Sequence, residues 1–436
     1  MAHISPFRGV RYNTSIIKDI SKVVCPPYDI INQELEQELY ERSEYNFIRI
    51  EHGWQSSKDN DADNKYTRAA SFFRKWLDKK VLVSEEQQTF YIHDHYFKYQ
   101  GKEYKRRGLI ARVRLEEWDS MVVRPHEGTL AEPKKDRISM LWALNANTSP
   151  IFTLYEDIEK KIASALTDEV AVKPIMDFYD NGERHTVYAI TQTELIGRIC
   201  SGFSGKPLYI ADGHHRYESA QVYRRERMAC STGIEKDDPL NFVMMTLVDF
   251  DDPGLLVLPP HRLLRGVSKS DMDGLEDKLR AFFDIKKISL NSNDVWQKVD
   301  SFMDRKNEIG LVLYGLDEDE LMILTLRDFE KASKLMPYFH SDTYKKLDVS
   351  VIDHVILEEM LGIGSGQEKG IDYNYSREDA INKVTNQEYQ LAFIIRPIEA
   401  KTIKTIADSS DKMPHKSTYF HPKLPSGLVL YWMDKP

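Results

Sequence analysis

The chain has 436 residues, 41% of them apolar, with 60 Lys and Arg against 69 Asp and Glu and a formal net charge of −9. That length points to roughly two or three domains with sizeable cores. The acidic balance argues against a DNA binder, which needs basic surface to release counterions. Three cysteines without paired spacing argue against a disulfide framework or a zinc ribbon. Met1 to Val10 lacks an apolar signal region, and no run approaches the ~20 apolar residues of a membrane span. A soluble, cytoplasmic protein with no membrane or nucleic-acid partner is therefore expected.

Pro6-Phe7-Arg8-Gly9 opens the chain, and Val23-Val24-Cys25-Pro26-Pro27-Tyr28-Asp29 follows. Two prolines after a β-branched pair stop a strand and set an extended turn. Arg8, Tyr28 and Asp29 are polar groups on rigid backbone, suited to substrate contact or to loop anchoring. Helices are expected at about residues 32–43 and at Tyr66 to Lys79, the second with Ala69, Ala70, Phe73, Trp76 and Leu77 on one stripe. Phe90 to Tyr99 and Gly108 to Leu115 read as strands. His93 and His95 share a strand face, but the sequence places no third ligand beside them. A satisfied or solvated face is expected there, and no metal site.

Val122-Val123-Arg124-Pro125-His126-Glu127-Gly128-Thr129 puts an imidazole and a carboxylate in a Pro/Gly-bounded loop. A Glu poised by burial or by a neighbouring His can take a proton from a hydroxyl. Glu127 and His126 are thus catalytic candidates, Lys134, Lys135 and Arg137 could serve the same anion, and a solvated turn is the alternative. Strands are expected at residues 151–155 and 185–190, with helices at about 156–166 and 193–202.

The central stretch is Pro207-Leu208-Tyr209-Ile210-Ala211-Asp212-Gly213-His214-His215-Arg216-Tyr217-Glu218. Four apolar residues read as a buried strand, which Asp212-Gly213 breaks. Tyr217, Ala220, Gln221 and Arg224 then recur at helical spacing. Asp212 is the expected N-cap, and Gly213 lets backbone come close to a ligand. A helix start with His214, His215 and the planar fork of Arg216 suits a phosphate. Asp212, His214 and His215 could instead ligate a divalent ion, although adjacent histidines rarely converge on one metal.

Asn241 to Val248 is a strand, and Pro259-Pro260-His261-Arg262 again puts cationic groups at a strand end. From about residue 266 the pattern alternates. Helices are expected at about 270–283, 350–361, 377–384 and 398–408, and strands at about 310–316, 320–326, 371–375 and 389–396. Gly362-Ile363-Gly364-Ser365-Gly366 follows a helix, the reverse of a dinucleotide fingerprint, and is read as a helix end and turn. In Met413-Pro414-His415-Lys416-Ser417-Thr418-Tyr419-Phe420-His421-Pro422-Lys423, two lysines with adjacent hydroxyls suit a phosphate, and an exposed edge strand is the alternative. Gly427 to Trp432 is strand-like and could return to a sheet.

Pro6 to Gly9, Pro26 to Asp29, His126 to Thr129, Asp212 to Tyr217, Pro259 to Arg262 and Met413 to Phe420 occur in chain order. On these motifs the chain resembles, over nearly its whole length, the prokaryotic family designated domain of unknown function 1015. That family looks related to the ParB/sulfiredoxin superfamily, whose members grip nucleotide phosphates with a Gly-x-x-Arg-type turn at a helix start. One member, the free serine kinase, carries an Asp-Gly-His-His-Arg turn and transfers phosphate between a nucleotide and the hydroxyl of L-serine. The resemblance implies an α+β fold: a mixed-sheet, ParB/sulfiredoxin-like catalytic domain at 1–265 and a smaller α/β domain at 266–436 whose last strand could return to the first.

It also implies a phosphotransferase or phosphatase acting on serine or O-phosphoserine, with ATP or ADP and Mg²⁺. His126, Glu127, His214 and His215 would be catalytic. Asp212 to Arg216, with Lys416, Ser417 and Thr418, would bind phosphate or nucleotide. Arg8, Tyr28, Asp29, His261 and Arg262 would bind substrate. The C-terminal half and its Lys-Ser-Thr motif do not map onto the kinase. The alternative is a non-catalytic, ParB-like nucleotide-binding regulator. A sulfiredoxin-like activity would need a cysteine where His214 and His215 stand.

Overall fold

The computed structural model describes residues 2–167, 173–230, 233, 235–305, 307–364 and 370–434. The chain divides into two units. The first comprises residues 1–125, 129–256 and 422–436, and the second residues 126–128 and 257–421.

The first unit is built on a mixed sheet of nine strands among the described residues. The order runs Val123–Arg124, Leu208–Asp212, Ile151–Tyr155, Phe242–Asp249, Lys102–Arg114, Phe90–Tyr99, Glu183–Ile190, Met176–Asp180, with Ile4–Ser5 paired to Lys102–Arg114. Leu208–Asp212 runs parallel to Val123–Arg124, and Phe242–Asp249 parallel to Ile151–Tyr155; the other pairs are antiparallel. The central strands are apolar on both faces, as strands covered on two sides are: Ile151, Leu154, Ile210, Met244 and Leu247 are all fully buried. Lys65–Asp78 forms as the stripe predicts, with a capping box between Asn64 and Thr67, and it buries Ala69, Phe73 and Trp76. The last residues rejoin this unit, Tyr431 and Trp432 pairing with Asn147 and Ala146.

The helix Ala131–Leu144, which follows the His126–Thr129 loop, is an addition to the expected elements. Pro133 lies in its first turn, where a missing N–H costs nothing. Arg137, Met140, Leu141 and Leu144 form its buried face.

The second unit carries an antiparallel six-stranded sheet: Phe283–Ser289, Glu320–Leu326, Gly310–Tyr314, Leu391–Ile394, His261–Leu264 and Ile371–Asn374. Leu263, Val299, Phe302, Val312, Leu321, Ala392 and Ile394 make its core. Phe283–Ser289 and the helix Val295–Met303 are additions to the expected elements. The single helix expected at 350–361 is a short α-turn, Asp348–Val351, continued by a wider π-type stretch, Ile352–Met360. Gly362 adopts φ 68° just after it, as a helix end requires, whereas Ser365 and Gly366 lie outside the described residues.

His261 shows how this core sets a pH response. Its Nδ1 accepts from the Ile395 N–H at 3.2 Å, and burial, helped by Arg377 and Arg262, pushes the imidazole down to about 3. The folded chain then binds fewer protons than the unfolded chain below the ordinary His value of about 6.5, so stability falls with acid between about pH 6.5 and 3, by up to ~1.4 kcal/mol per pH unit. Urea unfolding of the wild type and His261→Gln across that window is expected to show a flatter slope in the variant.

Candidate functional site

The site grows out of the Leu208–Asp212 strand and the helix that follows. Leu208, Tyr209, Ile210 and Ala211 are buried, as their apolar run predicts. The strand's register on Ile151–Tyr155 shifts between Ile210 and Asp212, an irregularity of the kind that re-aims a side chain at a strand end.

Asp212 is not the N-cap. It ends the strand, and Gly213, at φ 97°, caps the helix His214–Ala229 with no side-chain capping bond. The left-handed turn carries the chain from strand to helix in one residue and leaves the Asp212 carboxylate free of capping duty. A Cβ at Gly213 would stand 2.9 Å from Arg216 Nε. Gly213→Ala is therefore expected to cost about 1–2 kcal/mol in backbone strain alone, read as a lowered midpoint in denaturant unfolding.

The Asp212 carboxylate accepts from Arg216 Nη2 at 2.6 Å and from Lys423 Nζ in a short ion pair. Lys423 also lies 3.9 Å from Asp29 Oδ2, and Arg216 Nη1 donates to the Pro150 carbonyl. Burial alone would push the Asp212 carboxyl up, but the Lys423 ammonium and the Arg216 guanidinium outweigh it and hold it well below the usual carboxylate range. The expected phosphate fork of Arg216 is thus engaged on two arms.

His215 Nε2 accepts from the Leu130 N–H at 2.9 Å, which puts the proton of the neutral imidazole on Nδ1. Three residues on, Glu218 accepts from Lys134 Nζ at 2.9 Å and from the Thr129 hydroxyl. His214 is buried at the first position of the helix. The Arg137 guanidinium stacks on the Tyr28 ring at 3.9 Å and pairs with Asp136. Burial pushes the Tyr28 hydroxyl up to about 12, so it stays a neutral donor. Arg8 is exposed and lines a separate cavity of about 310 Å³ with Gln88, Arg112 and Trp432.

In the second unit, Glu127 forms an isolated bridge with Met413. Its Oε1 accepts from the Lys416 N–H at 3.2 Å and lies 2.8 Å from His415 Nδ1. His126 Nε2 lies 3.0 Å from the Thr418 hydroxyl, and Ser417 Oγ donates to the Pro414 carbonyl at 2.6 Å. Lys416 takes a left-handed φ of 54°, which turns the chain so that its N–H meets Glu127. His126, Glu127, Lys416, Ser417 and Thr418 are therefore one cluster. His261 and Arg262 stand apart from it in the buried strand His261–Leu264, where Arg262 Nη1 donates to the Pro260 carbonyl at 2.9 Å and Nε lies 3.4 Å from Asp353.

Among the residues gathered at this turn, Glu218 is outside the expected site residues, and Lys423, one of the two lysines expected to suit a phosphate, is held by Asp212. Lys423 stood at the end of the terminal motif, but nothing local ties it to residue 212. Glu218 follows the central motif at helical spacing, the one signal that could have found it. Asp29 and Asp212 are the carboxylates of this cluster, but the Lys423 ammonium lies against both and Arg216 takes the other Asp212 oxygen, so the pair does not fit a hard cation such as Mg²⁺. Among the described residues no helix is long and apolar enough to cross a membrane.

Residues 4–350 match the family described as "Protein of unknown function (DUF1015)". No curated protein matches the chain. Among solved structures it is similar to free serine kinase in complex with AMP, with a TM-score of 0.35 and 13% identity, covering 74% of this chain and 92% of that one. It is similar also to a conserved hypothetical protein from Pyrococcus furiosus (TM-score 0.36, 14% identity, 74% and 95% covered). A third is SbnI with a C-terminal truncation from Staphylococcus aureus (TM-score 0.33, 11% identity, 74% and 87% covered). At these scores no activity passes from those proteins to this chain. The match across residues 4–350 of 436 does settle kinship: the chain belongs to the DUF1015 family.

Proposed function

We propose that this protein transfers a phosphoryl group to or from a small hydroxylated metabolite, free serine or O-phosphoserine, with ATP or ADP as the nucleotide. The observation that carries this reading is the turn at Asp212 to Arg216. One carboxylate there holds a guanidinium and an ammonium at the start of a helix, beside an imidazole whose tautomer is set by the Leu130 N–H. Fixed cations and N–H donors at a helix start are what a transferring phosphate requires, because this chemistry is mainly positioning and charge stabilisation.

In this reading His214, Lys423 and Arg216 neutralise the phosphate, and His215 donates its Nδ1–H to it. Asp212 aims the two cations, and Mg²⁺ would enter with the nucleotide phosphates and supply further charge neutralisation there. Glu127, oriented by His415 and the Lys416 N–H, takes the proton of the attacking hydroxyl as the new O–P bond forms and the bond to the leaving nucleotide oxygen breaks. In the hydrolytic direction the same carboxylate takes a proton from water. His126 and Thr418 support Glu127, and Lys416 with Ser417 would contact the nucleotide. Arg8, Tyr28 and Asp29 remain substrate-side residues, whereas buried His261 and Arg262 are left out. The nine-stranded unit would be the ParB/sulfiredoxin-like part and the six-stranded unit the smaller α/β part.

The test is phosphorus NMR on the full chain with Mg²⁺, one sample holding L-serine with ATP or ADP and another O-phosphoserine with AMP or ADP. A new phosphoserine or free-phosphate signal, lost in Glu127→Gln, is expected. The rival reading is a nucleotide-binding regulator without turnover. It is favoured by the existing engagement of Arg216 and Lys423 with Asp212, which could be purely architectural. Nucleotide binding with no conversion in any mixture would decide for it.

A further inference from the structure

We propose a transition-metal site at His95, His185 and Glu183, separate from the phosphate cluster and independent of the reading above. The strands Phe90–Tyr99 and Glu183–Ile190 pair antiparallel with His185 directly opposite His95. Because side chains alternate along a strand, His93 and His95 share one face and Glu183 and His185 share the same face across the pair. The register thus supplies the ligand that the His93-Asp94-His95 stretch lacks.

The geometry is close to what an ion needs. One ligand atom from each of His95, Glu183 and His185 lies within 4.8 Å of the others. Tetrahedral ligands about 2.1 Å from zinc are roughly 3.4 Å apart, so movements of about an ångström would close the set. His95 Nε2 lies 2.6 Å from Glu183 Oε2, and the His95 and His185 rings are 4.1 Å apart. His95 and His185 are buried, while the Glu183 side chain is 29% exposed and gives the site a face to solvent.

The surroundings prepare the ligands. His93 Nε2 lies 3.0 Å from His185 Nδ1. With the proton on Nδ1 donated to His93, the other nitrogen of His185 carries a lone pair, the outer-partner arrangement that orients metal-bound imidazoles. Arg106 Nη2 lies 3.2 Å from His95 Nδ1 and donates to the Pro422 carbonyl at 2.8 Å. A guanidinium can only donate, so His95 Nδ1 accepts and its proton sits on Nε2, facing Glu183. An ion at Nε2 takes the other neutral tautomer: the Nε2 proton leaves to solvent as the nitrogen–metal bond forms, solvent returns a proton to Nδ1, and Arg106 keeps its bond to the Pro422 carbonyl. Two nitrogen ligands and one carboxylate suit zinc, ferrous iron or a similar first-row divalent ion, and suit Mg²⁺ poorly.

The test uses the tag-free full chain, stripped with chelator and titrated with Zn²⁺ by calorimetry in excess Mg²⁺, with Co²⁺ absorption as a second probe. One equivalent bound at about 10 μM or tighter is expected, weakened on the order of 10–100-fold in His185→Gln and in Glu183→Gln. Glu183→Gln alters a partly exposed side chain and keeps the variant pair informative should His185→Gln unfold. Absence of stoichiometric binding, or binding unchanged in Glu183→Gln, would overturn the proposal.

Discussion

Asp212→Ala is expected to destabilise the protein by about 3–5 kcal/mol, because it strips the shared carboxylate from two largely buried cations. The Asp212, Arg216 and Lys423 side chains are 19%, 11% and 11% exposed. Water can replace little of the lost partner there. Urea unfolding of Asp212→Ala, Lys423→Met and the double variant would measure the coupling. The double variant is expected to be less destabilised than the sum of the singles, since removing both charges removes the penalty. Strict additivity would show that the ion pair contributes nothing. The same network predicts an acid response. The Asp212 carboxyl is held low, so its stabilisation is present above the ordinary value near 4 and is lost as pH falls through the lower folded value.

Glu127→Gln should lower turnover by about 10²–10⁴-fold while nucleotide affinity stays within about twofold, since a general base contributes in the transition state rather than in binding. Glutamine preserves the acceptor for the Lys416 N–H, yet it cannot take a proton. Initial rates of phosphoserine formation or hydrolysis, beside calorimetry with ADP, separate the two effects. An unchanged rate would remove Glu127 as the base and turn attention to His214 and His215. A parallel loss of nucleotide binding would instead give Glu127 a structural part, holding the turn around Lys416 in place.

Much of the architecture around the turn was readable locally. Four apolar residues at 208–211 make a buried strand, and the helical spacing from Tyr217 onward makes a helix. The cap was misread because Asp is a common N-cap and nothing local shows that Lys423 and Arg216 claim its carboxylate. The helix Ala131–Leu144 shows little local signal, because its apolar residues, Met140, Leu141 and Leu144, fall in its second half and Pro133 sits in its first turn. The Glu127 loop and the Lys416-Ser417-Thr418 motif were each singled out, but their bonds to one another, 289 residues apart, were not legible.

The sequence alone determined what depends on neighbours within a turn or a strand: the apolar runs, the helical stripe of Ala69, Phe73 and Trp76, the glycine at the strand-to-helix turn, and the motifs that identify the family. Periodicity carries that information because side-chain direction repeats every 2 or 3.6 residues. Tertiary structure alone decided which charges meet. Lys423 reaches Asp212 across 211 positions, and His185 and Glu183 come to His95 through strand register. No local pattern encodes such pairs, because sheet order and register are settled by burial of whole faces, and the polar groups on those faces follow.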